Sequence, residues 1–261
     1  MHQFRSAAPP WWLVPNLLAL DAPIVAAVWQ RFLAARFGVV VPAAATVALA
    51  ATVWCIYLTD RWLDARRGAL DADRHRAAAR WPVTFACGAL FAGSLAAVTA
   101  IQLPSEYPLY GLVIGLGVAV YLALIHAVAE GLQSFRGAKE LLVAIGFAAG
   151  VALPLSIDGQ PIAGWLPGVL AFAGVCWLNC RLIDRWESTG QSGPRSVWPD
   201  CLLGGVLLAS CAGLPASVGV AVAGSSLGLL TIHLACRHRP RAARVLADVV
   251  LLFPLASWCL L

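Results

Sequence analysis

Two short acidic phrases, each placed where a long apolar segment ends, contain residue types that could hold a metal ion. They occupy residues 59–64 and 183–188 and share the tripeptide Asp-Arg-Trp. If both segments stay helical to their acidic ends, the two carboxylates of each phrase lie about one turn apart on one helix face. Mg²⁺ prefers oxygen ligands and commonly takes one or two carboxylates together with substrate phosphates. The phrases therefore predict a Mg²⁺ and phosphate site whose metal ligands are Asp60, Asp64, Asp184 and Glu187.

Other side chains near the phrases could bind the substrate that such a metal would hold. Lys139 is the only lysine of the chain and could clamp a diphosphate as a compact point charge. Arginines in and near the phrases could neutralise the same anion. We therefore predict Asp60, Asp64, Asp184 and Lys139 as catalytic residues. The predicted cofactor- and substrate-binding residues are Tyr57, Arg61, Arg67, Asn179 and Arg185.

Simpler readings of the same residues remain open at this stage. The Asp-Arg pairs are also typical of ion pairs at a membrane surface, and Lys139 beside Glu140 could serve only to set topology. Trp62 and Trp186 could belong to the aromatic belt at a membrane interface or shield a carbocation with their ring faces.

Two further aspartates, Asp21 and Asp248, fall inside apolar segments. An ionised aspartate at the centre of a bilayer costs roughly 2.5 to 3.5 kcal/mol on insertion scales, so such residues usually face the interior of a helix bundle. Binding of an acceptor or a proton is one interpretation. The favoured one is a structural hydrogen bond, for Asp21 with the region of Asn16 or Gln30.

The composition predicts an integral membrane protein. Hydrophobic residues make up 61% of the 261 residues, and only 12% are charged, which leaves too little polar surface for a soluble globule. Apolar stretches of roughly the length that a bilayer requires predict an all-α, polytopic bundle of about nine transmembrane helices in a single domain, residues 1–261. The stretches lie near 13–34, 39–58, 83–103, 109–128, 139–156, 162–182, 201–214, 217–235 and 245–260.

The distribution of positive charge predicts the orientation of the bundle. Of the 18 lysines and arginines, all except Arg31 and Arg36 fall on one side of the nine-helix arrangement. Because cations accumulate in cytoplasmic loops, we expect an inner, cytoplasmic-membrane protein with the N-terminus and both acidic phrases in the cytoplasm. The net charge of +5 then reflects topology rather than nucleic-acid binding. The eight cysteines lack metal-ligand spacing and are interpreted as small core residues.

The layout of these motifs resembles the UbiA superfamily of intramembrane prenyltransferases, in which acidic motifs follow the second and sixth helices. Asp60 and Asp64 match the last two aspartates of that family's first motif, while Tyr57 stands where its leading Asp belongs and Ile56 where its Asn belongs. Asp184 matches one aspartate of the second motif. The partner position is Cys180 or Ser188, and Glu187 is a possible substitute.

The resemblance implies nine helices around a lipid-open cavity that binds Mg²⁺ and an isoprenyl diphosphate, with Lys139 on the diphosphate side. It also implies transfer of the prenyl group to an aromatic or other lipophilic acceptor, with membrane lipids around the protein. Alternatives are a non-catalytic relative that binds an isoprenoid or quinone or joins a membrane complex, and an intramembrane terpene cyclase. A small-solute transporter that uses Asp21 and Asp248 as a proton relay is the least favoured.

Overall fold

The described part of the chain is built from α-helices, and no strand occurs in it. The computed structural model describes residues 10–68, 73–127, 136–187, 197–236 and 238–258, with the backbone alone at 122, 125–127 and 136–139. The helices are α1 Val14–Leu17, α2 Asp21–Arg36, α3 Ala43–Arg66, α4 Asp73–Arg80, α5 Pro82–Ile101, α6 Glu106–Ala127, α7 Arg136–Ile157, α8 Ile162–Glu187, α9 Trp198–Ser210, α10 Ala216–Cys236, α11 Pro240–Val250 and α12 Pro254–Ser257.

Several of these helices are long and apolar enough to cross a bilayer, which indicates a multi-pass membrane protein. Among the described residues five pass this test, namely α3, α5, α7, α8 and α10, and a bent pair formed by residues 11–17 and α2 would make a sixth. Helix α6, whose side chains are described continuously only to Tyr121, and the stretch Trp198–Gly213 count as shorter apolar segments among the described residues. The prediction of about nine spanning helices is therefore not confirmed, although the all-helical architecture is.

Breaks within apolar stretches account for two of the predicted spans that are not single straight helices. The predicted span 13–34 is bent by 73° between its two parts. The predicted span 245–260 is divided by a turn at residues 251–253. A hydropathy window registers composition but not backbone direction, so it merges both halves of a broken helix.

The core of the bundle lies around α8, against which α7, α9, α10 and α11 pack. The ring of Trp29 on α2 stacks on Phe172 of α8 with centroids 4.3 Å apart. The indole N–H of Trp29 donates to the carbonyl of Leu251, 2.8 Å away. This packing joins α2, α8 and the end of α11 around the space where the acidic residues lie.

A close approach between α10 and α11 holds the latter helix in place. A Cβ atom added at Gly228 of α10 would lie 2.5 Å from Cγ1 of Val250 on α11, so only glycine leaves room there. The same close approach therefore helps to position Arg244 and Asp248, which both belong to α11.

The bend after α1 exposes carbonyl groups that helix geometry cannot satisfy. Buried Ala19 adopts a φ of 56°, in the left-handed region that non-glycine residues seldom occupy. Two side chains of α3 bind the open carbonyls. One guanidinium nitrogen of Arg61 donates to Asn16 O at 2.6 Å and to Leu17 O at 2.8 Å, and Trp54 Nε1 donates to Leu18 O at 2.9 Å.

Arg61 is 2% exposed, so its loss would remove the side-chain donor of Leu17 O and leave Asn16 O with only the backbone N–H of Ala19, 3.2 Å away. We predict that Arg61→Met destabilises the detergent-solubilised protein by about 3 kcal/mol, because charge-assisted hydrogen bonds and buried unsatisfied acceptors both carry large free energies. Thermal unfolding of purified protein measures this. The control is Arg66→Met on the same helix, whose guanidinium lies over the Trp62 ring at 4.3 Å on the protein surface. Equal loss of Tm in both variants would contradict the role assigned to Arg61.

Candidate functional site

A cavity of about 410 Å³ opens between α2, α3, α7, α8 and α11 and contains side chains from both acidic phrases. Asp60 reaches it from the end of α3, and Asp184 and Glu187 reach it from the end of α8. The structure therefore brings three of the four predicted metal ligands to one cavity. Tyr57, Arg61 and Asn179, three of the predicted binding residues, also line it.

The outer part of the cavity carries a cluster of charged side chains. Arg74 Nη1 of α4 donates to Glu187 Oε1 at 2.8 Å, and Arg244 Nη1 of α11 donates to the same oxygen. Burial, and after it the neighbouring Arg244, lower the pKa of Arg74. Glu187 thus works here as the anchor of two guanidinium groups, and its Oε1 is engaged by both of them.

Helix α4 is tied to its neighbours by a second set of polar contacts. Arg241 Nη2 of α11 donates to Asp73 Oδ1 at 3.0 Å, and Arg76 also pairs with Asp73. Burial alone would raise the pKa of Asp73, but these two arginines outweigh it and lower the pKa. His75 Nε2 accepts a hydrogen bond from Arg74 Nε at 2.9 Å. The contacts hold α4 beside the ends of α3 and α11 and so position Arg74 at the cavity.

The inner part of the cavity contains the two aspartates that the sequence places inside apolar segments. Asn16 Nδ2 donates to Asp21 Oδ2 at 2.6 Å and to Asp248 Oδ2 at 2.8 Å, and both carboxylates line the cavity. The predicted hydrogen bond between Asp21 and the Asn16 region is confirmed. The second hydrogen bond of Asn16, to Asp248, joins residues that are 232 positions apart and was not predicted.

Three predicted site residues do not line the cavity. Asp64 lies one turn beyond Asp60, with its Oδ2 3.5 Å from Nε2 of His75. Arg67 is exposed just after the end of α3. Arg185 pairs with the fully buried Asp200 of α9 at 2.7 Å. Because successive helical residues differ by about 100° in direction, the neighbour of Asp184 faces away from the cavity.

Lys139 falls in the first turn of α7, and its side chain lies outside the described part of the chain. The two tryptophans of the phrases do not line the cavity either. Trp186 is buried and donates through Nε1 to Nδ1 of His233 on α10 at 3.1 Å. Because Trp186 is buried, it does not belong to an aromatic belt at the membrane interface. Because it does not line the cavity, it cannot shield a carbocation there.

Four residues of the cavity are not among the predicted site residues. Arg74, Arg244 and Glu140 line the cavity. Asn16 bridges two of its carboxylates. One signal could have identified Arg244, since it precedes Asp248 by four residues and so shares its helix face. Arg74 belongs to the arginine-rich segment after Asp60, which suits phosphates, but no local pattern distinguishes it from the other arginines there, because its position depends on how α4 folds back against α11.

The oxygen donors of the cavity fit Mg²⁺ only as a partly protein-bound ion. Among the described residues no group of three His, Cys, Asp or Glu side chains is arranged to hold a metal. Asp60 and Asp184 supply two carboxylates to one cavity, which matches the usual one or two carboxylates that Mg²⁺ takes while waters and phosphates complete its shell. Asp64 does not line the cavity, and Glu187 Oε1 accepts from two arginines, so Asp60 and Asp184 are the two cavity carboxylates that a Mg²⁺ ion would use.

Comparison of the chain with protein-family models, with curated proteins and with solved structures found no match.

His75 provides a test of the polar network around α4. Burial, and after it Arg74, lower the pKa of His75 to about 4, whereas an unfolded histidine titrates near 6.5. Above about pH 6.5 both states are neutral. Between about pH 6.5 and 4 the unfolded state binds the proton more readily, so stability falls as pH falls.

We therefore predict that the Tm of the wild type falls more steeply over this pH range than that of His75→Gln, whose amide oxygen can still accept from Arg74. Thermal unfolding from about pH 7.5 to 4 measures the difference, and both proteins should agree in slope above pH 6.5. Parallel curves throughout would show that His75 is not buried in a neutral form.

Proposed function

We propose that this chain is a UbiA-like intramembrane prenyltransferase that binds an isoprenyl diphosphate with Mg²⁺ and transfers the prenyl group to an aromatic or other lipophilic acceptor. The observation that carries the proposal is one cavity lined both by carboxylates of the two acidic phrases and by apolar side chains. In a substrate with a diphosphate head and a hydrocarbon tail, the head would lie beside the charged side chains and the tail beside the apolar ones.

The balance of charge in the cavity favours an anion that arrives with a metal ion. Three arginines line the cavity, Arg61, Arg74 and Arg244, against the six carboxylates of Asp21, Asp60, Glu140, Asp184, Glu187 and Asp248. A bare diphosphate would be repelled by this excess of carboxylates. A divalent cation held by Asp60 and Asp184 would offset this repulsion, as is usual in phosphate sites built on acidic residues.

Arg74 and Arg244 are the side chains placed to receive the leaving diphosphate. Both guanidinium groups converge on Glu187, one turn beyond Asp184 on α8. Guanidinium groups present several N–H donors to phosphate oxygens, so the pair could bind the diphosphate while Glu187 keeps them oriented. Arg61 is assigned a different role, since one of its terminal nitrogens already binds the carbonyls of Asn16 and Leu17.

The apolar wall would hold the prenyl tail. Val25, Ala144, Phe147 and Leu251 line the cavity beside its charged groups. Each buried methylene contributes about 0.8 kcal/mol to binding, so even a short prenyl chain adds substantial affinity.

In the proposed reaction the allylic carbon–oxygen bond breaks and its electron pair leaves with the diphosphate. The acceptor supplies the electron pair for the new bond to the prenyl carbon and then loses a proton. Bound Mg²⁺ would supply Lewis-acid stabilisation of the leaving group. Asp60 and Asp184 would hold it, and Arg74 and Arg244 would neutralise the charge that remains on the diphosphate.

The proposal includes the orientation predicted from the sequence, with the mouth of the cavity facing the cytoplasm at the inner membrane. The charged helix α4 and the arginines Arg241 and Arg244 at the start of α11 cluster at this mouth. Positive charge of this kind favours the cytoplasmic side.

A second candidate is a non-catalytic protein that binds an isoprenoid or quinone. The position of Asp64 outside the cavity and the pairing of Glu187 with two arginines favour it, because both reduce the number of predicted metal ligands that could meet at one ion. Bound intact isoprenoid without diphosphate release would support this candidate.

We predict Mg²⁺-dependent release of pyrophosphate from geranyl, farnesyl or geranylgeranyl diphosphate by the purified protein, assayed with a panel of aromatic acceptors. Asp60→Asn and Asp184→Asn should each lower the rate at least about 100-fold, the loss typical for removal of one group that stabilises a developing charge. Asp158→Asn is the matched control, because Asp158 lies after α7 at the opposite end of that helix and binds Gln160.

Undiminished release in both cavity variants would contradict the mechanism. A cyclised product formed from the diphosphate alone would assign the site to a terpene cyclase. Absence of release with every chain length and acceptor would favour the non-catalytic candidate.

A further inference from the structure

The inner end of the cavity differs in chemistry from its mouth. Along α11, Asp248 lies one turn beyond Arg244, or about 6 Å deeper at 1.5 Å per residue. Along α8, Asn179 precedes Asp184 by five residues, or about 7.5 Å. Asp21 joins this level through the shared Asn16 amide. The guanidinium pair on Glu187 marks the outer level, and the inner level is built from Asp21, Asp248 and Asn179.

The inner level presents mainly hydrogen-bond acceptors to a ligand. Asn16 has two N–H donors, and both are directed to the carboxylates of Asp21 and Asp248. Asp21 Oδ1 accepts from the backbone N–H of Ala22 at 3.0 Å, but a carboxylate oxygen can accept more than one hydrogen bond. The bridge therefore consumes the donors of Asn16. The carboxyl groups of Asp21 and Asp248 also hydrogen-bond to each other, and their oxygens keep capacity to accept further hydrogen bonds.

Asn179 is an independent sign of a ligand at this level. Its side chain lines the cavity, the residue is only 8% exposed, and its Oδ1 has no hydrogen-bond donor in the described part of the chain. A buried carbonyl oxygen without a donor costs about 1–3 kcal/mol, which a donor on a ligand would recover. Tyr57 adds one hydroxyl, which can donate or accept.

The cations near the inner level are partly engaged elsewhere, although Arg244 Nε has no acceptor in the described part of the chain. One terminal nitrogen of Arg61 donates to two carbonyls of α1, and Arg244 pairs with Glu187 at the outer level. The titratable and charged groups that face the aspartate pair across the cavity are Tyr57, Arg61, Cys176, Cys180, Glu140 and Arg244. A carboxylate on a ligand would meet the acidic pair of Asp21 and Asp248 here.

We propose that the inner end of the cavity binds the second substrate through a hydroxyl or amine group, with Asp21, Asp248 and Asn179 as acceptors, and that it rejects acceptors carrying a carboxylate. This inference rests on the proposed transferase function, whose acceptor it defines as a neutral or cationic lipophilic molecule with a hydrogen-bond donor. Unpaired buried acceptors discriminate strongly against ligands that lack the matching donor. Like charges at a buried contact discriminate against carboxylates in the same way.

Binding of three matched probes to the full-length protein tests the inference without diphosphate or Mg²⁺. The probes are para-hexylphenol, para-hexylbenzylamine and para-hexylbenzoate, which share one apolar body and differ in the polar group. We expect the phenol and the amine to bind at least about tenfold more tightly than the benzoate, as measured by isothermal titration in detergent. The double variant Asp21→Asn, Asp248→Asn should lose this preference, and Asp158→Asn should retain it.

The Asp→Asn substitutions are nearly isosteric, and each asparagine keeps an oxygen that accepts a hydrogen bond from Asn16. If the double variant does not fold, Asp248→Asn alone replaces it in the binding assay. Asn179→Leu should weaken the phenol roughly tenfold or more, because the Oδ1 acceptor is lost. Tight binding of the benzoate, failure of both donor probes to bind, or a preference that survives in the aspartate variants would overturn the inference. Since the binding assay omits diphosphate, a preference for the phenol and the amine would stand even if the protein transfers no prenyl group. Conversely, prenyl transfer to carboxylate acceptors would overturn the inferred acceptor preference but not the proposed transferase function.

Discussion

The interior of this protein depends on one buried guanidinium group at a break in a helix. A membrane-buried chain must satisfy every backbone carbonyl internally, and the bend between α1 and α2 opens those of Asn16, Leu17 and Leu18. Arg61 binds the first two, and Trp54 of the same helix binds the third. The side chain of Asn16 is thereby placed so that its amide reaches Asp21 and Asp248. A residue in the first acidic phrase therefore shapes the inner end of the cavity, although the sequence pattern suggests a direct role in binding phosphate.

Charged side chains of opposite sign are arranged differently at the two levels of the cavity. At the outer level two arginines share one carboxylate, so each remains oriented and able to bind a further anion. At the inner level two carboxylates share one amide, a geometry that suits a ligand with donors. The proposed prenyl transfer uses both levels, with the diphosphate outside and the acceptor inside. An apolar wall formed by α2 and α7 side chains such as Val25 and Phe147 connects them.

Several features could be predicted from the sequence because they depend on local composition or periodicity. Hydropathy predicts an all-helical membrane protein, since the length and apolarity of α3, α5, α7, α8 and α10 are properties of each segment alone. The distribution of positive charge predicts both phrases on one side of the bundle, and Asp60 and Asp184 both line the cavity. The hydrogen bond from Asn16 to Asp21 joins residues only five apart, so it too lay within reach of sequence reasoning.

The sequence by itself determined the all-helical membrane architecture and the residue types available to the cavity. Only the tertiary structure decided which of those residues meet. Arg185 and Asp184 are adjacent in sequence, yet one pairs with Asp200 and the other lines the cavity, because helix rotation and the packing of α9 select the direction of each. Asp248 joins Asp21, and Arg74 joins Arg244, across more than 160 residues. Such pairings depend on long-range packing geometry, which no local pattern encodes.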